Sequence, residues 1–170
     1  MVEVGSKKAD TMSEYGDLVQ AKCDAFADRV VKLNDYLLEQ AANKKAEVRW
    51  LKAKTKAEGR GLKAERQTSS RVPVFLQSVA TISNQLLRAG TSIGANNSEA
   101  TSAISKADYK AKSYIALKEA RESLYWINLL HRNGYLDETQ YKSIFADAEE
   151  LVKILVARCK KLDAEGGKEG

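Results

Sequence analysis

Proline, histidine, cysteine and aromatic residues are all scarce in this 170-residue sequence. Sheet-rich sandwiches and barrels need frequent turn residues and runs of β-branched or aromatic residues, but the chain has one proline and 7% aromatic residues. It has no apolar run long enough to span a bilayer, and its N-terminal segment lacks the apolar stretch of a signal peptide. These absences predict a soluble, cytoplasmic, helical protein that does not bind membranes.

The shortage of cysteine and histidine also excludes most kinds of chemical site. Cys23 and Cys159 are too few for a disulfide framework or a zinc site, so we interpret them as small buried hydrophobic residues. His131 is the only imidazole and stands near a predicted helix end, where it complements the helix dipole. Gly90 and Gly94 lack the strand, loop and lysine of a phosphate-binding motif and are typical of close helix packing. The sequence therefore predicts no enzymatic activity, no metal and no cofactor.

The positive charge is concentrated in one segment, residues 41–72, which we call the basic arm. It contains ten basic residues and three acidic ones, a net +7, whereas the whole chain carries +5, so the remainder sums to −2. The aromatic Trp50 is interleaved with these charges. The candidate nucleic-acid-binding residues of the arm are Lys44, Lys45, Arg49, Trp50, Lys52, Lys54, Lys56, Arg60, Lys63, Arg66 and Arg71.

Apolar residues recur at helical spacing in four segments. The predicted helices run from about Ser13 to beyond Glu39, from near Pro73, from about Ser105 to Arg132, and onward from Asp137, which is placed to cap the fourth. Asn133 and Gly134 form a helix stop. The predicted inward residues are Val19, Cys23, Phe26, Val30, Leu33 and Leu37 in the first helix; Phe75, Val79, Ile82, Leu86, Ala89 and Ile93 in the second; Ile115, Trp126 and Leu129, with Ala116, Ala120, Ile127 and Leu130 on a neighbouring line, in the third; and Tyr141, Ile144, Ala148, Leu151, Leu155 and Leu162 in the fourth.

Four amphipathic segments of matched length predict an all-α protein, an up-down-up-down antiparallel four-helix bundle. We assign residues 1–170 to a single domain with flexible tails at 1–12 and 164–170. The first half of the basic arm is rich in helix-forming residues, so the first helix is expected to extend into it as a solvated rod, to break at Gly59 and Gly61, and to return through residues 67–71.

Several motifs carry a resemblance to a known family. They comprise residues 85–96 (QLLRAGTSIGAN), Glu99-Ala100, residues 105–109 (SKADY), residues 115–123 (IALKEARES), Tyr125-Trp126 and residues 134–136 (GYL). As a set they resemble the four-helix-bundle proteins encoded in intervening sequences of bacterial 23S ribosomal RNA genes, a family that includes the accessory variability protein (Avd) of diversity-generating retroelements. The resemblance covers the second to fourth helices well and the first more loosely.

The resemblance implies a homopentameric ring with a basic surface. For the retroelement branch it implies binding of a reverse transcriptase and of structured RNA; for the intervening-sequence branch the role is not established. The chain departs from the family in two places. Its connection between the first two helices is much longer than usual, and Asn97 and Ser98 stand where apolar or small residues are common.

Two carboxylates on the third helix, Glu119 and Glu122, lie one turn apart beside apolar residues. Bundle metal sites need Glu-x-x-His pairs on facing helices, and this pattern is absent. We therefore expect these carboxylates to pair with Arg88, Lys118 or Arg121, within the chain or across a subunit boundary. The residues assigned to such a structural or oligomer-forming polar network are Arg88, Asn96, Glu99, Lys118, Glu119, Glu122 and Trp126.

These observations favour a non-enzymatic, homo-oligomeric scaffold that binds structured RNA through the basic arm and serves a reverse transcriptase or another RNA-handling complex. Three alternatives stay open. The protein could be an interaction ring whose arm docks an acidic partner enzyme, or an intervening-sequence protein of unestablished role. The arm itself could be a solvated helix extension, since charge runs often are.

Overall fold

The computed structural model describes residues 3–57 and 65–166, with side chains described from 16 to 57 and from 77 to 165. Four α-helices account for nearly all of these residues: α1 is Glu3–Ala57, α2 is Glu65–Thr101, α3 is Lys106–Arg132 and α4 is Glu138–Gly166. The described residues contain no strand. The predicted all-α fold with four helices is confirmed.

Contacts between successive helices show that each runs antiparallel to the next. Along α1 and α2, Gly94 lies beside Cys23 whereas Gly90, earlier in α2, lies beside the later residue Val30. Ion pairs order the other helices in the same way: Arg88–Glu122 and Glu99–Lys112 join α2 to α3, Lys110–Asp163 and His131–Glu138 join α3 to α4, and Lys22–Glu150 and Arg29–Asp147 join α4 to α1. The topology is therefore up-down-up-down.

The ends of α3 and α4 are set by capping residues that the sequence shows directly. Ser105 caps α3, where its side chain accepts a hydrogen bond from the Asp108 amide. The α3–α4 turn contains Gly134 in a left-handed conformation, with φ of 72°. Asp137 and Gln140 form a reciprocal capping box at the start of α4, with amide-to-side-chain distances of 2.8 and 3.0 Å.

The first two helices are longer than the sequence predicted. α1 begins at Glu3 rather than Ser13 and continues to Ala57, so the first half of the basic arm is helical as expected. α2 begins at Glu65, and Pro73 lies inside it rather than in its first turn. In a helix interior a proline keeps a helical φ but removes the hydrogen bond to the carbonyl four residues earlier and crowds that carbonyl, which costs about 3 kcal/mol, so the rest of the long helix must offset this cost. The predicted break at Gly59 and Gly61 and the end of the predicted C-terminal tail, 167–170, lie outside the described residues.

The core fills the space between the four helices and ends along α1 at Ala41, the last buried residue among the described side chains of that helix. Its members are Val19, Cys23, Phe26, Val30, Leu37 and Ala41 of α1; Val79, Leu86 and Ile93 of α2; Ala116, Leu117, Ala120, Ile127 and Leu130 of α3; and Leu136, Ile144, Ala148, Leu151, Leu155 and Cys159 around α4. On α3 the buried line is the one through Ala116 and Ile127. Ile115 was predicted to face inward but is exposed, because the neighbouring line meets α2 and α4.

Candidate nucleic-acid interface and the polar contacts of the bundle

The part of α1 beyond the core, residues 42–57, is the portion of the basic arm with described side chains that lies past the last core residue, Ala41, and we call it the α1 extension. It carries six basic residues and one acidic residue, a net +5, over about 24 Å of helix at 1.5 Å per residue. Lys44, Lys45, Arg49, Lys54 and Lys56 are exposed and Lys52 is half-buried. Arg60 and Lys63 lie outside the described residues, and Arg66 and Arg71 belong to α2 but their side chains are not among those described.

Four of these charges form a row along one side of the α1 extension. Lys45, Arg49, Lys52 and Lys56 are spaced by four, three and four residues, which places them within about 60° of one another around a helix that turns 100° per residue. We call them the basic row. Neighbours at this spacing stand about 5–6 Å apart, so the row presents a line of cations about 16 Å long.

The opposite side of the α1 extension carries an exposed aromatic ring. The Trp50 side chain is 60% exposed, and the Lys54 ammonium lies 5.0 Å from its ring centroid in a cation–π contact. Leu51 beside it is also exposed. The extension therefore offers a line of charge on one side and a tryptophan on the other.

Arg88, Glu122 and Trp126, predicted members of the polar network, meet at the α2–α3 interface. Arg88 NH2 lies 3.3 Å from Glu122 Oε1, and the Trp126 Nε1–H donates to the same oxygen at 3.0 Å. Because the Arg88 side chain is largely exposed, this ion pair adds little stability by itself. Its geometric effect is to hold the Trp126 indole against α2.

Glu119 lies one turn before Glu122 and makes no such contact. Its Oε2 is buried without a hydrogen-bond partner among the described residues. Burial, followed by the negative charge of Glu122, raises the pKa of the Glu119 carboxyl, and Arg88 only partly opposes this shift.

This raised pKa predicts that the ionised Glu119 carboxylate lowers the stability of the folded protein at neutral pH and that the protonated form at low pH does not. The folded state holds the Glu119 proton to a higher pH than the unfolded state does, so stability is lost as the pH rises from the ordinary value of 4.5 through the folded-state pKa. We expect Glu119→Gln to raise the melting temperature at pH 7 and to have no such effect at pH 4, as measured by circular dichroism. The exposed Glu39→Gln is the matched control. A loss of stability at pH 7 in Glu119→Gln would show instead that a cation pairs with this carboxylate in the assembled protein.

The remaining predicted members of the network are dispersed. Glu99 forms an ion pair with Lys112 at the far end of the α2–α3 interface. The Asn96 side chain donates to the Ser92 carbonyl of its own helix at 2.9 Å, and Lys118 is exposed on α3. Of the seven predicted residues, Arg88, Glu122 and Trp126 therefore meet in one cluster, Glu119 lies beside it without a hydrogen bond from Oε2, and the other three stand at separate positions.

A buried polar chain that the sequence analysis missed crosses the bundle core. Asn97 is fully buried; its Nδ2 donates to Gln20 Oε1 at 2.7 Å, and its Oδ1 accepts from Arg158 NH1 at 2.6 Å. The Arg158 side chain is only 8% exposed, and its Nε has no partner among the described residues. Arg158 stands at core spacing between Leu155 and Leu162, and this spacing was the signal that could have identified it.

The one histidine, His131, and the two cysteines, Cys23 and Cys159, pack against other residues of the bundle. His131 stacks on the Tyr141 ring with centroids 4.0 Å apart, and its Nε2 lies 3.1 Å from Glu138 Oε2 across the α3–α4 turn. Both cysteines are buried. Burial raises the pKa of Cys23 to about 11 against the opposing effect of Arg158, so this thiol stays protonated at neutral pH.

Comparison with known proteins assigns the family. The sequence profile described as 23S rRNA-intervening sequence protein matches residues 67–157, which is more than half of the chain. The chain belongs to the 23S rRNA-intervening sequence protein family. A crystal structure of a protein with unknown function from the S23 ribosomal protein family of Bacteroides thetaiotaomicron shares 34% sequence identity and superposes with a TM-score of 0.58 over 84% of this chain and 98% of that one. None of the curated proteins matches.

The segment that matches the 23S rRNA-intervening sequence protein family lies in the helical bundle and does not include the positively charged α1 extension. The matched segment begins two residues into α2 and ends within α4, so it contains the Arg88 cluster and Asn97. The α1 extension precedes it. None of the described helices is long and apolar enough to span a membrane.

Proposed function

We propose that this intervening-sequence family protein is a non-enzymatic, homo-oligomeric scaffold that binds structured RNA through its α1 extension, as an accessory to a reverse transcriptase or another RNA-handling complex. The observation that carries the proposal is the basic row on a helical segment that holds no core residue. The core residues of the other helices and of the rest of α1 form the bundle from which this segment extends.

The row suits a polyanion better than it suits stabilisation of the fold. Lys45, Arg49 and Lys56 are exposed, and like charges at one-turn spacing disfavour an isolated helix. Phosphates of a nucleic acid backbone relieve this repulsion and release condensed counterions when they bind lysine and arginine. The row therefore gains a function from RNA that it lacks in the free protein.

Membrane surfaces fit the α1 extension less well than RNA does. Interfacial helices place a broad apolar face in the acyl region opposite their basic face. The α1 extension has Trp50 and Leu51 as its exposed large apolar residues, and alanines occupy positions 42, 46, 53 and 57.

Oligomerisation would multiply the effect of each row. The family resemblance implies a pentamer, and five copies of the +5 extension would bring 5 × 5, or +25, into one assembly. A charge of this size concentrates polyanions and steers their approach. Contacts of this kind position an RNA backbone and discriminate weakly between sequences.

The decisive variant replaces Lys45, Arg49, Lys52 and Lys56 together with glutamine. We expect the affinity for a structured RNA at 100 mM salt to fall by about tenfold or more, and the slope of log affinity against log salt to become shallower by roughly 3, because each lost phosphate contact removes about 0.7–0.9. Fluorescence anisotropy over a salt series measures both. Circular dichroism and light scattering check that fold and assembly are kept.

The matched control neutralises four exposed lysines of the bundle, Lys32, Lys153, Lys160 and Lys161. It changes the net charge by the same amount and should leave most of the affinity. Equal losses in both variants would mean that only overall charge matters, and unchanged affinity in the row variant would refute the proposal. The alternative would then be that the α1 extension docks an acidic partner protein, for which co-purification with a neighbouring reverse transcriptase is the test.

A further inference from the structure

A cleft of about 410 Å³ lies at the base of the α1 extension, where α1 faces the α3–α4 turn. Its floor is made by buried apolar residues of α1 and α2, including Leu37 and Val79. Its walls combine aromatic, amide and charged side chains with the backbone of the turn; these are Tyr36, Gln40, Asn43, Lys44, Glu47, Gly134 and Tyr135. The volume is within the range of small-ligand sites.

The chemistry of the walls matches a nucleobase more closely than a bare phosphate. Tyr36 is 41% exposed and Tyr135 is half-buried, so the cleft has ring surface available for stacking. The amides of Gln40 and Asn43 both donate and accept hydrogen bonds, as the edges of bases require. Glu47 would repel a phosphate, but its carboxylate accepts from the exocyclic amines and ring N–H groups of bases.

The cleft is continuous with the aromatic side of the α1 extension. Tyr36, Asn43 and Trp50 are spaced by seven residues, and Glu47 and Lys54 follow Asn43 and Trp50 by four, so all five share one side of the helix. A strand that starts at Tyr36 and follows this side reaches the Trp50 ring, which the Lys54 ammonium contacts, after about 21 Å of helix rise. Alternating rings and cations are the pattern of single-strand binding surfaces.

We propose that this cleft binds one unpaired RNA base, stacked on Tyr36 and read at its edge by Glu47 and the neighbouring amides, next to a phosphate near Lys44. The proposal rests on the proposed RNA-binding function and adds to it a preference for single-stranded segments over continuous duplex. Adenine and cytosine offer an exocyclic amine to an acceptor such as Glu47, whereas the one N–H at the edge of uracil lies between two carbonyl oxygens that repel a carboxylate, so we expect adenine or cytosine strands to be favoured over uracil strands.

The test compares fluorescein-labelled 12-nucleotide strands of adenine, cytosine and uracil with a blunt-ended 12-base-pair RNA duplex that has no loop, by anisotropy at fixed salt. Tyr36→Leu removes the ring but keeps an apolar side chain at the cleft. We expect it to weaken the adenine strand about tenfold and to leave the duplex within about twofold, since stacked duplex bases cannot enter the cleft. Glu47→Gln should reduce the preference for adenine and cytosine over uracil. Tyr125→Leu, an exposed tyrosine on α3, should change neither.

Two results would overturn the proposal. One is a Tyr36→Leu variant that binds every strand as the parent protein does. The other is an equal loss for strand and duplex, which would indicate a general change in the α1 extension. In either case the variant with glutamine at the four basic-row positions distinguishes failure of the cleft proposal from failure of the proposed function. If that variant loses both duplex and strand binding, RNA binding by the basic row stands and only the cleft proposal fails.

Discussion

Asn97→Leu should destabilise the bundle by roughly 3 kcal/mol, because it takes the hydrogen-bond acceptor Asn97 Oδ1 away from the buried Arg158 guanidinium. The leucine itself resembles the apolar or small residue expected at this position, so packing alone predicts a small effect or a gain. The cost comes from the buried cation. Chemical denaturation followed by circular dichroism measures the free energy of unfolding.

A double variant separates the effect of the lost Asn97–Arg158 hydrogen bond from the effect of the different side-chain shape at position 97. Asn97→Leu combined with Arg158→Met replaces both polar partners with apolar side chains, and we expect it to recover most of the lost stability. Gln20 keeps a partner in this variant, since its Nε2 also donates to Asp24 Oδ1 at 2.7 Å. Asn96→Leu is the control, because Asn96 bonds only its own helix in the described contacts, and a change of less than about 1 kcal/mol is expected there. Additive losses at 97 and 158 would contradict the coupling.

Gly90→Leu should cost about 3 kcal/mol or more, since overpacking at a helix crossing forces backbone shifts. A Cβ added at Gly90 would lie 3.1–3.3 Å from three carbons of the Val30 side chain, closer than van der Waals contact. The α1–α2 crossing would have to open. Thermal and chemical unfolding measure the loss.

Two comparisons make this prediction specific to the crossing. Val30→Ala in the Gly90→Leu background should recover part of the stability by removing two of the crowded carbons. Gly16→Ala, on the same helix as Val30 but with open space around its added Cβ, should instead gain roughly 1 kcal/mol from helix propensity. If Gly90→Leu unfolds no more easily than Gly16→Leu, then helix propensity outweighs contact at position 90.

Helix boundaries could be predicted where side chains mark them and not elsewhere. Ser105, Gly134 and Asp137 are capping or turn residues, and the structure places the ends of α3 and α4 at them. α1 continues past its last core residue because helix-forming residues fill positions 42–57, whereas no comparable pattern marks the start of α2 at Glu65, ahead of Pro73. The apolar pattern ends where the core ends, and this need not be where the helix ends.

Contacts between residues far apart in the chain could not be predicted from the sequence. The sequence singled out Asn97 as a departure from its family, but its partner Arg158 is 61 residues away and resembles a surface residue by type. In the same way the charge of the α1 extension could be counted, whereas the cleft beside it forms only because the Gly134 turn returns to α1 at Tyr36.

Because α1 is one uninterrupted helix, it fixes both the distance from the bundle and the rotation about the helix axis of any molecule bound at its C-terminal end. One helix of 55 residues joins the Val30–Gly90 crossing to Ala57, with no hinge between them. Seven residues inserted after Ala41 would move the basic row outward by about 10 Å and rotate it by only about 20°, whereas five would rotate it by about 140°. The number of residues in α1 therefore sets both the distance of the basic row from the bundle and its rotation about the helix axis. In this protein the length of a helix is itself a specificity determinant for the geometry of a bound complex.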